Sequence, residues 1–203
     1  MTTEAGLEVA SYGSYYRVGE DNEKPFEDVL NTAIELGAPV IRVWAGKQGS
    51  DKADNSYRES VVEDARRIAN LASEKSILVS FEYHRNTLTD TKESASQLMT
   101  DVSHPNIGIY WQPAVSQSLD DRLASIESVY PWLTFVHVFY WHGTKRLPLD
   151  DGAEDWQQYL QPLTTTTNQR YFLLEFVKQD DPKQFLQDAG ILKDLLQKFK
   201  EKE

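Results

Sequence analysis

Short apolar runs alternate along this chain with stretches of helical periodicity, and that alternation constrains the fold more than any other feature. ILVSFEYH, IGIYWQP, LTFVHVFYWH and YFLLEFV have strand length and are rich in β-branched and aromatic residues. Strands separated by amphipathic helices predict a parallel βα architecture, and in its barrel form the carboxyl ends of the strands converge on one mouth. Each run carries a polar residue near its end: Glu82 and His84, Gln112, His137, and Glu175. A carboxylate inside LLEFV is costly to bury unless something pairs with it. A metal ion shared with Glu82 and His137 accounts for Glu175.

The remaining elements follow from period and punctuation. Leu7–Ala10 reads as a strand leading into the loop SYGSYYRVGE. A helix is predicted from Pro25 to Leu36, with Pro in its first turn and Gly37 as stop signal. Val40–Trp44, Ile77–Glu82, Ile107–Trp111, Thr134–Phe139 and Tyr171–Phe176 are the other strands. Helices are expected at Tyr57–Ser73, Lys92–Val102, Leu119–Val129, Ala153–Leu160 and Pro182–Phe199, with KFKEKE as a solvated end. Thr87–Thr91 is the cap region of the third helix, Asp90 or Thr91 supplying the cap. These make six strand–helix units in one domain, residues 1–203, without repeat or linker. A closed barrel needs eight strands. An open doubly wound sheet accommodates six, but the loop AGKQGSDK has neither the dinucleotide glycine spacing nor a P-loop.

Composition narrows the function. A net charge of −11 argues against a surface for nucleic-acid backbones. The absence of cysteine excludes disulfides and thiolate chemistry. MTTEAGLEVA has no basic segment followed by an apolar core, and no run approaches the roughly 20 apolar residues of a membrane span. A cytoplasmic protein without membrane or nucleic-acid partners is the expectation. Five Trp and ten Tyr are generous for a cleft, and several aromatics fall at the strand ends.

IRVWAG, SFEYHRNTLTDT, YWQP, VHVFYWHG…RLPL and LLEFV together resemble the sugar phosphate isomerase/epimerase-like superfamily, the xylose isomerase-like TIM barrels that also include endonuclease IV. The resemblance runs from about Leu7 to about Leu196, carried by the order and spacing of these stretches. It implies a TIM-barrel-like α/β fold whose metal ligands stand at the ends of the fifth to eighth strands, here Glu82, Gln112, His137 and Glu175. The strand at Leu7 becomes the family's third, so the expected fold is an incomplete barrel of six βα units lacking the first two. An open edge left by missing strands invites pairing, and a homo-oligomer covering it is expected. The usual second ligand is an aspartate; Gln112 is neutral and leaves two negative charges at the site, a weaker hold on a divalent ion.

The resemblance further implies one divalent cation (manganese, magnesium, zinc or cobalt) that polarises a sugar carbonyl and stabilises an enediolate, with Glu82 and Glu175 as base and acid. His84 shares the strand face of Glu82 by the two-residue period, as a group that orients a ligand or as a contact to a substrate hydroxyl. Arg146 and Lys178 are candidates for a substrate phosphate or carboxylate, and Trp44, Trp111 and Trp141 for the faces of a sugar or polyol. Structural explanations stand beside these: Glu82 paired with Arg42, His137 as a satisfied core histidine, Gln112 as a hydrogen-bonding amide, and aromatics that only fill the core. Three functions follow: a metal-dependent sugar, sugar-phosphate or polyol isomerase or epimerase; a catalytically impaired truncated barrel that binds a ligand or partner; and an endonuclease IV-like phosphodiesterase, which needs several histidines where this chain has four in all.

Overall fold

The computed structural model describes residues 2–163 and 170–200. Its helices start and stop on local signals. In α1 (Phe26–Leu36), Phe26, Val29, Leu30 and Ala33 recur at helical spacing and are buried. Pro25 holds φ at −64°, and Gly37 at φ 66° returns the chain through hydrogen bonds to Ile34 and Ala33. Asp54 caps α2 (Asn55–Ser73) by accepting from Tyr57 N–H at 2.8 Å. Thr91 caps α3 (Lys92–Val102) through Ser94 N–H, within the predicted cap region. Ser118 caps α4 (Leu119–Val129). The last two are α5 (Ala153–Leu163) and α6 (Pro182–Lys200).

Six strands run in the order β1 (Tyr12–Arg17), β2 (Val40–Trp44), β3 (Leu78–Glu82), β4 (Ile107–Trp111), β5 (Leu133–Val138) and β8 (Tyr171–Leu174). The first strand departs from the sequence expectation. Leu7 is 60% exposed, and the chain pairs instead through YGSYYR, taken above for a loop. That segment alternates, Ser14 and Tyr16 buried and Tyr15 exposed, the period-two pattern of a strand with one buried face. The Ser14 hydroxyl is satisfied by the Arg42 carbonyl at 2.6 Å, which lets a polar residue occupy an inward position. The element count of six is unchanged. A small antiparallel hairpin, β6 (Tyr140–His142) and β7 (Lys145–Leu147), was not expected. Its two-residue turn places Gly143 at φ 60°, a conformation glycine adopts without steric cost.

The chain packs as two compact units, Met1–Tyr110 with Pro131–Thr134, and Trp111–Tyr130 with Phe135–Glu203. In the first, β1, β2, β3 and β4 pair in parallel and bury Ile41, Val43, Val79, Phe81 and Ile109, while α2 buries Val61, Ala65 and Ile68. In the second, β5 pairs in parallel with β8, and Trp111, Trp156 and Tyr159 form a fully buried aromatic cluster with edge-to-face contacts. No helix among the described residues is long and apolar enough to cross a membrane.

Candidate metal centre

In the first unit the β2–β3 register sets Arg42 opposite Ser80 and Val43 opposite Phe81. Residues 42 and 44 of β2 and 80 and 82 of β3 therefore share one face. Glu82 is 3% exposed. Trp44 Nε1–H donates to Glu82 Oε2 at 2.6 Å, and Arg42 reaches the same oxygen at 3.2 Å. This is the ion pair weighed above as a structural explanation for Glu82: a buried carboxylate made tolerable by a cation and a hydrogen bond.

Trp44 is not a bare platform. Its ring lies beneath the Arg17 guanidinium at 4.3 Å, with Arg42 at 5.0 Å, the edge of Tyr15 at 5.5 Å and the tilted His84 ring at 5.6 Å. His84 is half-exposed, and its Nδ1 lies 2.7 Å from the Arg85 carbonyl, which fixes Nδ1 as the protonated nitrogen. The loop beyond β3 is tied down by Thr89 Oγ1–H donating to the Glu82 carbonyl at 2.5 Å and Thr87 Oγ1–H to the His84 carbonyl at 2.6 Å. Arg17 and Tyr15 escaped sequence reading because they sit in the segment read as a loop.

In the second unit His137 pairs in register with Leu173, and the Glu175 N–H continues that ladder by donating to the Val138 carbonyl at 3.0 Å. This brings the two candidate side chains together: His137 Nδ1 lies 3.4 Å from Glu175 Oε2 and 3.0 Å from Gln112 Oε1. His137 is buried, and the Glu175 side chain is 25% exposed. An imidazole between a carboxylate and an amide oxygen is a donor set that a divalent cation can organise.

The other candidates separate. Trp111 is fully buried; its Nε1–H donates to Ser125 Oγ at 2.8 Å, and its ring packs on Trp156 and Tyr159. It presents no face to a ligand and acts in packing. Trp141 stacks edge-on against Phe176 at 5.5 Å. Arg146 donates to Asp180 Oδ1 at 2.6 Å. Lys178 is exposed on the short turn Lys178–Asp180. Each unit thus offers metal-ligating side chains at its strand ends: Glu82 in the first, and His137 with Glu175 in the second.

The profile of the xylose isomerase-like TIM barrel family matches residues 1–195. A 3-dehydroshikimate dehydratase of Bacillus anthracis is 34% identical over 185 residues, covering 79% of this chain and 66% of the relative's own length. Among solved structures, the probable 3-DHS dehydratase AsbF of Bacillus anthracis superposes with a TM-score of 0.75 at 22% identity, over 93% of this chain and 77% of that one. A D-tagatose 3-epimerase-like protein gives a TM-score of 0.77 at 16% identity, over 98% and 81%. A xylose isomerase-like TIM barrel protein of Mycobacterium smegmatis, in complex with magnesium, gives 0.70 at 16%, over 95% and 74%.

Proposed function

Because the chain belongs to the xylose isomerase-like TIM barrel family, we propose that it is a divalent-metal-dependent enzyme that removes a proton beside the carbonyl of a small polyhydroxylated substrate, with dehydration of 3-dehydroshikimate as its reaction. The observation that carries this reading is the pairing of His137 with Glu175 at 3.4 Å and with Gln112 at 3.0 Å, an imidazole set between two oxygen donors at strand ends; Glu82 is the further ligand we propose from its place at the end of its own strand. The 34% identical relative supplies the substrate.

A bound divalent cation supplies Lewis-acid polarisation of the carbonyl, which acidifies the neighbouring C–H. Everything else falls to the protein. Arg42 and Trp44 hold the Glu82 carboxylate in orientation, so that it serves as a fixed ligand. Glu175, more exposed and only 3.4 Å from His137, is placed to take the proton. The proton then returns to the departing hydroxyl, which leaves as water. Gln112 Oε1 lies 3.0 Å from His137 Nδ1, and this amide oxygen is the proposed fourth ligand.

A second reading is keto-sugar epimerisation or isomerisation, in which one acid removes a proton and another returns one, the roles that the family resemblance gives Glu82 and Glu175; the D-tagatose 3-epimerase-like neighbour supports it. A group holding one histidine gives the endonuclease IV-like alternative no support.

The test uses protein stripped with chelator and reloaded with Mn²⁺ or Mg²⁺. Expected are calorimetric binding of the ion, conversion of 3-dehydroshikimate to a catechol acid followed by ultraviolet absorbance, and loss of turnover in Glu175→Gln. Solvent-deuterium uptake by a keto sugar without water loss selects the second reading. Absence of any divalent-ion binding removes both.

A further inference from the structure

The hairpin and the segment after β8 hold a feature that this mechanism does not use. Arg146 on β7 donates to Asp180 Oδ1 at 2.6 Å, and its guanidinium lies 4.6 Å from the Phe176 ring and 5.6 Å from the Trp141 ring. Phe139, Trp141 and Phe176 contact one another at 5.5–6.4 Å and form an aromatic floor under the cation. Asp180 is 77% exposed at its side chain, whereas Arg146 is 31% exposed. The pair is thus a half-sheltered cation held by a solvated acid. Trp141 Nε1–H is buried with no hydrogen-bond partner among the described residues, so a second donor stands beside the same floor.

The chain between Glu175 and α6 is also held in an unusual backbone state. Phe176, Gln179 and Asp180 all have left-handed φ values, 57°, 57° and 52°, without a glycine among them. Non-glycine residues persist in that region only where surrounding contacts impose it. Phe176 on the aromatic floor and Asp180 on Arg146 are the contacts that do so here, and this segment begins at Glu175, the proposed base.

We propose that Arg146 is the anchor for the carboxylate of an acidic substrate, and that Asp180 is an intramolecular stand-in that occupies it until the substrate arrives. Three arguments support the exchange. Asp180 offers the guanidinium the same group as a substrate acid. Exposed ion pairs are weak, so an incoming carboxylate sheltered by the aromatic floor displaces it. Release of Asp180 frees the left-handed segment next to Glu175, which couples docking of the acid to placement of the base. The proposal rests on the function given above and deepens it: the enzyme takes carboxylic acids rather than neutral sugars.

The experiment compares binding of 3-dehydroshikimate and of its uncharged methyl ester to the metal-loaded wild type, Arg146→Gln and Asp180→Asn. With the competitor removed, Asp180→Asn tightens binding of the acid about threefold and leaves the ester unchanged. Arg146→Gln weakens the acid at least about tenfold, again sparing the ester. Mn²⁺ affinity, measured by calorimetry in parallel, is unchanged in both variants. Equal effects on acid and ester, or unaltered acid affinity in either variant, overturn the anchor. Loss of Mn²⁺ binding by the wild type overturns the metal-dependent function instead, so the two failures are distinguishable.

Discussion

Replacing Arg42 by methionine tests whether the Glu82 carboxylate depends on its cation. The two side chains are 14% and 4% exposed and meet at 3.2 Å. Methionine keeps the packing of the arginine stem and deletes the charge. Removing one partner of a buried pair costs about 3–5 kcal/mol because the other charge is left uncompensated. The Trp44 N–H still donates to Oε2 at 2.6 Å, which places the cost at the lower end, about 3 kcal/mol. For a chain of this size, each kcal/mol lowers the melting temperature by roughly 2–4 °C, so the shift is about 6–12 °C. The assay is thermal unfolding of metal-free protein followed by circular dichroism. Adding Glu82→Gln in the same background removes the stranded charge and should recover about 1–2 kcal/mol. Mn²⁺ should raise the melting temperature of the Arg42→Met variant more than that of the wild type, since the ion supplies the missing positive charge. A loss below about 1 kcal/mol, or no recovery in the double variant, would refute the claim that this carboxylate depends on Arg42 for compensation.

Two further outcomes follow from the geometry. Burial, with Asp64 alongside, raises the Tyr16 hydroxyl from its ordinary range to about 12. Since the folded pKa lies above the unfolded one, this contribution is complete below about pH 10 and is lost as pH rises through about 12. Tyr16→Phe should therefore shrink the alkaline fall in stability seen by urea titration; an unchanged profile counts against it. Trp111→Phe leaves the Ser125 hydroxyl without its buried donor and opens space against Trp156 and Tyr159. A loss of about 1–3 kcal/mol with KM unchanged is expected; a raised KM with unchanged stability would return Trp111 to the substrate.

Much was legible before any coordinates because the relevant signals are short-range. Pro25 and Gly37 bracket α1 and Thr91 opens α3, effects confined to a turn or two of chain. Glu82, Gln112, His137 and Glu175 were visible as polar breaks where apolar strands end. Tyr12–Arg17 was not, because glycine and serine in YGSYYR read as turn chemistry until Arg42 supplied a partner for Ser14. Trp111 was misread because IGIYW is buried at every position, and a strand covered on both faces has no polar alternation to say which way a side chain points.

Composition and periodicity were thus enough for the strand–helix alternation and for naming the acids and the imidazole. Tertiary packing alone decided who holds whom: Trp44 and Arg42 on Glu82, Gln112 on His137, Asp180 on Arg146. Those partners lie 25 to 40 residues apart, and a one-residue slip in strand register turns each side chain to the opposite face. No local preference encodes a register; the whole buried face of the sheet sets it.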